Sequence, residues 1–90
     1  MKVKEFLGYL RRGQYTSFGC YPLFFIADDG QALSFKSAKE NIFQCARAIR
    51  DKHNNGWRIV AVEVNWENPA LFCSHSGERI ESAYAEDEAT

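Results

Sequence analysis

Apolar residues recur at the three-to-four-residue spacing of an amphipathic helix in two parts of this chain. The first part predicts a short N-terminal helix over residues 2–12. The second predicts one long helix over residues 37–52, which begins at a capping box formed by Ser37 and Glu40 and has Ser37 as its N-cap. The predicted buried stripe of the long helix consists of Ala38, Ile42, Cys45, Ala46 and Ile49, with Phe43 beside it.

Three further segments have the pattern of strands. Residues 22–33 predict a β-hairpin, because a compact apolar run is followed by Asp28-Asp29-Gly30, a strong turn signal. Residues 57–66 alternate in polarity, which predicts the clearest strand of the chain. Its two predicted faces are Val60, Val62, Val64 and Trp66 against Ile59, Ala61, Glu63 and Asn65. A final short strand is predicted over residues 70–73.

These elements predict an α+β fold in a single domain over residues 1–90. We expect a small antiparallel sheet, made of the hairpin and the C-terminal strands, to pack against the long helix. The short N-terminal helix adds to this core, and residues 85–90 are predicted to form a flexible tail.

The charge and the cysteine content limit the partners and the cellular location that we expect for this chain. The net charge of −1 gives no general attraction to nucleic acid or to a membrane surface. Three widely spaced cysteines, Cys20, Cys45 and Cys73, argue against a disulfide framework. Because neither a signal peptide nor a membrane-spanning stretch is visible, we expect a cytoplasmic protein with no membrane partner.

The local distribution of charge suggests two candidate partner surfaces. A basic set lies around the long predicted helix, and an acidic set lies near the C-terminus. The basic residues are Lys36, Lys39, Arg47 and Arg50, and the acidic residues are Glu78, Glu81, Glu86, Asp87 and Glu88. The basic set suits an acidic protein or nucleic acid, whereas the acidic set suits a basic channel that handles nucleic acid.

Two segments have the spacing of a pair of zinc knuckles. Ser34 and Ser37 stand three positions apart before the long helix, and Cys73 and Ser76 stand three positions apart after the last strand. A zinc site would need thiolates or imidazoles at these positions, and a serine hydroxyl is too poor a donor to replace a thiolate. We therefore expect no metal or other cofactor, and two turns that face each other through hydrogen bonds or apolar contact.

Two other uses of Cys73 remain open. It could join His75 and either Cys20 or His53 in a partial metal site. Cys73 and His75 could also form a nucleophile and base, because residues two apart share a face of an extended segment. No orienting acid or glycine-rich oxyanion loop accompanies them, so the chain is predicted not to be an enzyme.

Residues 56–69 and 73–84, together with the hairpin at Asp29-Gly30, resemble a family of small proteins carried by phages and other mobile elements. The resemblance covers about residues 22–86. Members of that family carry Cys-x-x-Cys at both knuckle positions and look like zinc-ribbon proteins. This chain departs from the pattern at three positions, namely Ser34, Ser37 and Ser76.

The resemblance implies that the protein is encoded by a phage or another mobile element, but it does not imply a particular enzymatic reaction. The leading hypothesis is a phage or prophage protein that binds and inhibits a host complex, as anti-CRISPR proteins inhibit CRISPR–Cas effectors. The alternative is a zinc-ribbon-derived regulator that binds nucleic acid through its basic residues. The oligomeric state is left open by the sequence.

Overall fold

The computed structural model describes residues 1–16, 21–68 and 70–83. Within them the elements follow the order α1, β1, β2, α2, α3 and β3. Their bounds are α1 Val3–Arg12, β1 Leu23–Ala27, β2 Ala32–Leu33, α2 Phe35–Glu40, α3 Ile42–Asp51 and β3 Ile59–Val64. The three strands form one antiparallel sheet in the order β2-β1-β3. The predicted α+β class, the N-terminal helix and the hairpin are confirmed.

The turn between β1 and β2 organises one end of the sheet. Gly30 has a φ of 80°, a conformation that glycine adopts without strain, and the Gln31 N–H donates to Asp29 Oδ1. The neighbouring carboxylate of Asp28 reaches across the fold and accepts hydrogen bonds from the N–H groups of Gly56 and Arg58. The hairpin turn therefore also sets where β3 begins.

A β-bulge divides β3 into two registers. Ile26 lies opposite Ala61, but the next residue, Ala27, lies opposite Ile59, so Val60 is the extra residue. Ile59 is consequently buried, whereas Val60 is 40% exposed. The predicted face that joined Val60 to Val62 and Val64 is therefore wrong at Val60, because the bulge shifts the alternation by one residue.

The predicted long helix over residues 37–52 is also wrong, since two short helices replace it. Asn41 separates them with φ −119° and ψ 35°, outside helical values, and its side-chain amide donates to the Ser37 carbonyl. Asparagine competes for backbone groups in this way and so interrupts helices. The N-cap of the first helix, α2, is Ser34 rather than Ser37, because Ser34 Oγ accepts from the Ser37 N–H at 3.1 Å.

Three phenylalanines form the centre of the core. Phe25 of β1 stacks on Phe35 of α2 with ring centroids 4.2 Å apart, and Phe6 of α1 packs on Phe25 at 5.4 Å. The rest of the buried cluster consists of Ala32, Leu33, Ala38, Cys45, Ile49, Ile59, Cys73 and Ile80. Burying large rings is an effective source of stability for so small a domain. The sheet thus has its buried face covered by α1, by the start of α2 and by α3.

The predicted strand over residues 70–73 is wrong. This segment makes a single bridge, between Phe72 and Arg79, and leads into a tight turn in which the Gly77 N–H donates to the Cys73 carbonyl. The chain before and after this region is held by the buried Asn65, whose side-chain amide donates to the carbonyls of Asn68, Ile80 and Glu81. The predicted tail over residues 85–90 lies outside the described residues.

Among the residues that the structure describes, none of the helices has both the length and the apolar character required to cross a lipid bilayer.

Candidate functional site

The four knuckle positions converge on one sulfur atom. The Ser34 N–H donates to Cys73 Sγ at 3.4 Å, and the Cys73 thiol donates to Ser37 Oγ at 3.3 Å. Ser76, in the turn that begins at Cys73, adds backbone and side-chain donors that lower the pKa of the same thiol. The structure therefore brings Ser34, Ser37, Cys73 and Ser76 together, as the spacing of the two turns predicts.

Local structure explains how each half of this cluster is held. On one side, Ser34 caps α2, so that its own N–H and the Ser37 hydroxyl in the first turn face the same point. On the other side, Gly77 has a φ of 76° and closes the turn that begins at Cys73. The Ser74 N–H donates to the carbonyl of Ala32 in β2, which fastens this turn to the sheet.

The donor set does not fit a zinc ion. Three of the four side chains are hydroxyls, and structural zinc takes its affinity from a full shell of thiolates and imidazoles. Within residues 1–16, 21–68 and 70–83, no three histidine, cysteine, aspartate or glutamate side chains are grouped closely enough to hold a metal. The partial site that involved Cys20 lies outside the described residues.

The cluster nevertheless has a marked electrostatic effect on Cys73. Burial raises the pKa of its thiol, because a thiolate loses hydration, but the hydrogen bonds from Ser34, Ser37 and Ser76 outweigh burial and lower the pKa from 9.0 to about 6. When the thiol ionises, the Ser37 hydroxyl can turn its proton toward the sulfur. The lowered pKa favours the thiolate form of Cys73 near neutral pH, and the surrounding donors stabilise that charge.

Access to this thiolate is closed. Cys73 is only 1% exposed, whereas a nucleophile must meet its substrate. The candidate base, His75, is exposed and faces elsewhere: its ring lies 5.0 Å from that of Trp57, and its Nε2 lies 3.5 Å from Asn41 Nδ2. No hydrogen bond joins Cys73 to the His75 ring in the described part of the chain. The arrangement can stabilise charge and connect two turns, but it presents no attacking group.

The two candidate charged surfaces are not separate in space. Lys36 of the basic set and Glu78 of the acidic set lie 3.9 Å apart as an exposed ion pair. Glu81 accepts a hydrogen bond from the Tyr15 hydroxyl. The remaining acidic positions, Glu86, Asp87 and Glu88, lie outside the described residues.

The basic set itself divides into two groups along α1. Lys36 and Lys39 border a groove with Leu10 near the C-terminal end of α1. Arg47 and Arg50 border another with Val3 at its N-terminal end. Leu10 follows Val3 by seven positions along the helix, which corresponds to about 10 Å. The single basic helix face expected from the sequence is therefore divided by the break at Asn41.

The most exposed aromatic side chain in the described part of the chain is Phe43. It stands 84% exposed on the first turn of α3, where the sequence pattern placed it beside the buried stripe. It borders a groove of about 430 Å³ that is also lined by Gln44, Arg47, His53 and Asn55. Arg47 has no acidic side chain within ion-pair distance among the described residues. An exposed apolar side chain thus lies next to a guanidinium that forms no close ion pair among the described residues and interacts with Asp51 only at longer range.

Sequence reasoning missed this surface for an identifiable reason. The buried positions of α3 are Cys45, Ala48 and Ile49, so the stripe starts two residues after Phe43. A strict count of three and four from Cys45 would have included Ala48 and left Phe43 on the solvent side. The spacing of the buried positions therefore indicated that Phe43 is exposed. The prediction of one long helix instead placed Phe43 beside the buried stripe.

Comparisons with known proteins give no relative: no protein-family model matches this chain, and no curated protein or solved structure matches it either.

Proposed function

We propose that this chain is a non-enzymatic binding protein of phage or prophage origin that inhibits a bacterial host complex, with a CRISPR–Cas effector as the first target to test. The observation that carries the binding role is the exposure of Phe43 beside Arg47. Aromatic and arginine side chains contribute most of the binding energy at protein interfaces. The phage setting rests on the resemblance of residues 56–69 and 73–84.

The chemistry of the surface favours an acidic partner. Phe43 supplies apolar area, and Arg47 supplies a positive charge that no described carboxylate contacts at ion-pair distance. Arg50 contributes less, because it forms a bidentate hydrogen bond with Asp51. The surface formed by Phe43, Arg47 and His53 is called the Phe43 surface below. We expect it to contact an acidic, partly apolar patch of the host complex.

A non-enzymatic role agrees with the geometry at Cys73. Its sulfur is buried, and its hydrogen bonds come from the three serines that surround it rather than from a general base. General-base activation would require an imidazole within hydrogen-bond reach of the thiol.

The experiment compares phage plating on a bacterium whose CRISPR–Cas effector targets that phage, with and without expression of the chain. Wild-type protein should raise plating toward the level seen in a strain without the effector. Phe43→Ala combined with Arg47→Glu should abolish this effect, whereas Phe72→Ala combined with Arg11→Glu should retain it. The second pair is the matched control, since Phe72 and Arg11 are also exposed.

Binding to the purified effector separates inhibition from indirect effects. The Phe43 surface variant should bind at least about tenfold more weakly than the wild type, as expected when an interface anchor is lost. If wild-type protein neither restores plating nor binds the effector, the inhibitor proposal fails. If it does both and the Phe43 surface variant is unaffected, the assignment of the surface is wrong.

The second candidate function is a nucleic-acid-binding regulator, and the same surface favours it, because an exposed aromatic ring beside arginine can stack on an unpaired base. A fluorescent single-stranded oligonucleotide distinguishes the two. Affinity that falls steeply with salt and is lost in Arg47→Glu would favour the regulator over the inhibitor. Absence of binding at low salt would remove it.

A further inference from the structure

The strand β3 lies at the edge of the sheet. It pairs with β1 along one side, and among the described residues no strand pairs with its other side. An edge strand presents a row of unpaired N–H and C=O groups, which can template the addition of another strand. The outer edge of β3 is therefore a potential binding surface made of backbone atoms.

The hydrogen bonds at the end of β3 show which groups point outward. The Asn65 N–H donates to the Pro22 carbonyl, so Asn65 faces β1. Alternation in an antiparallel pair then turns Glu63 and Ala61 toward β1, and turns the backbone groups of Val62 and Val64 toward the open edge. These two residues offer two donors and two acceptors in extended geometry.

The usual protections of an edge strand are present at one end of β3 and absent at the other. The bulge at Val60 distorts the first part of the strand and discourages pairing there. Residues 61–64 include neither proline nor lysine, and Glu63 is the sole charge among them. The open edge that can accept a strand is therefore residues 61–64.

A groove lies beside these four residues, between the sheet and the C-terminal end of α1. Its volume is about 610 Å³, and its principal lining residues are Tyr9, Arg12, Tyr15, Leu23, Val62 and Val64. Side chains alternate across a strand, so an added strand would direct every second side chain into this groove. The lining is mixed: Leu23, Val62, Val64 and the two tyrosine rings supply apolar surface, and Arg12, Thr16 and Glu63 add polar atoms. The apolar part of the groove would accept apolar side chains of the added strand.

One charged group at this groove indicates the chemistry of the occupant. The Arg12 guanidinium lies 4.8 Å from the centre of the Tyr9 ring, in a cation–π contact. No carboxylate lies within ion-pair distance of Arg12 among the described residues. Glu63 also borders the groove, but it alternates with Val62 and Val64 and so belongs to the opposite face of the strand. An aspartate or glutamate in the added strand would complement Arg12.

We propose that the open edge of β3 binds an extended peptide segment of a partner protein as a fourth, antiparallel strand, with apolar side chains in the α1–β3 groove and one acidic side chain at Arg12. Main-chain hydrogen bonds to Val62 and Val64 supply affinity, and the groove supplies selectivity. This site is distinct from the Phe43 surface and does not depend on a host complex being the target.

The test uses NMR amide exchange and a synthetic peptide of alternating valine and threonine, with one central valine replaced by aspartate. In the free protein, the Val62 and Val64 amides should exchange faster than those of Ala61 and Glu63, which bond to β1. Addition of the peptide should slow exchange at Val62 and Val64 in particular. A peptide with N-methyl groups on the amides that face β3 is the matched control and should not bind.

Charge exchange tests the role of Arg12. Replacing the aspartate of the peptide by lysine should weaken binding by about two- to fivefold, the range expected for an exposed ion pair. The variant Arg12→Glu should reverse this preference. Val64→Pro removes one outward donor and should reduce peptide binding, while unchanged amide shifts in the core report that the fold is retained.

Four results would overturn the proposal. Two concern peptide binding: no binding is detected up to about 1 mM peptide, or the N-methylated peptide binds equally well. Two concern amide exchange: the peptide slows exchange at Phe43 instead of at β3, or the Val62 and Val64 amides of the free protein are already protected in a dimer. The last result would assign the edge to a second copy of the chain. Because the wild-type protein and the control peptide are sufficient for these measurements, the test stands even if Val64→Pro fails to fold.

Discussion

The two described cysteines are both almost completely buried, yet their surroundings give them opposite properties. Cys45 on α3 lies in an apolar part of the core, where burial raises the pKa of its thiol to about 11. Cys73 is equally inaccessible, but donors from Ser34, Ser37 and Ser76 lower the pKa of its thiol to about 6. Burial alone therefore does not determine the charge of a thiol. The hydrogen-bond donors around it decide whether burial favours the neutral or the charged form.

The largest effect should come from restoring thiolates around Cys73. The triple variant S34C/S37C/S76C should bind zinc in a four-cysteine site and gain about 10 kcal/mol of binding free energy that is coupled to folding. Cobalt binding, followed by its thiolate charge-transfer absorption, would measure this. The control adds Cys73→Ser to the triple variant, which leaves three thiolates and should weaken metal binding strongly. If the triple variant binds no metal, the four positions do not have zinc-knuckle geometry.

The pH dependence of stability should distinguish the two cysteines. The pKa of Cys73 in the folded state, about 6, lies below its ordinary 9.0, so its contribution is present above pH 9 and is lost as the pH falls toward 6. The free energy of unfolding should thus rise by up to about 4 kcal/mol between these values. The raised pKa of Cys45 has the opposite sign: its contribution is present below pH 9 and is lost as the pH rises toward 11.

Urea unfolding across this pH range would measure both contributions. Cys73→Ala should remove the rise between pH 6 and 9, and Cys45→Ala should remove the fall above pH 9. A wild-type stability that is flat between pH 6 and 9 would contradict the thiolate assignment.

Replacing each of the two buried cysteines by alanine should lower the free energy of unfolding by different amounts. Cys73→Ala leaves the Ser34 N–H and the Ser37 hydroxyl without their acceptor and should cost about 3 kcal/mol at pH 8. Cys45→Ala removes only an apolar sulfur and should cost about 1–2 kcal/mol through the cavity that it creates. Thermal or urea unfolding of both variants under the same conditions makes the comparison. Equal losses would mean that the donors around Cys73 find other partners.

The smallest expected change is that of Ser37→Ala. It removes one of the donors to Cys73 and should cost about 1 kcal/mol at pH 8, where the sulfur is charged. At pH 5, where the thiol is neutral, the cost should be smaller. Ser74→Ala is a suitable control, because Ser74 is exposed in the same turn and bonds to the sheet through its backbone. A loss that is independent of pH would indicate packing rather than stabilisation of the thiolate.

Local signals predicted several elements well. The spacing of apolar residues predicted α1, and the turn residues around Gly30 predicted the hairpin, because both depend on neighbouring residues. The break at Asn41 was missed because an asparagine within an apolar period is a weak signal by itself. The strand over residues 70–73 was overpredicted because a short apolar run resembles a strand whether or not a partner is available.

The cluster of serines around Cys73 could be predicted in part from the sequence. The two-residue gaps at Ser34–Ser37 and Cys73–Ser76 predicted that the turns would meet, and the structure brings them together at one sulfur. The pattern could not predict the thiolate, since the charge of Cys73 depends on donors 36 and 39 residues away in the chain. The exposure of Phe43 and the open edge of β3 were likewise invisible, because they depend on which faces the sheet and α1 cover.

The sequence by itself determined the class of fold, the first helix, the hairpin and the pairing of the two turns, because periodicity and turn chemistry act over a few residues. Only the tertiary structure decided that the predicted long helix divides at Asn41, that Val60 bulges out of β3, and that the pKa of Cys73 is lowered while that of Cys45 is raised. The physical reason is common to all three. Burial, hydrogen bonding and charge depend on groups that are distant in sequence and become neighbours only when the chain is folded.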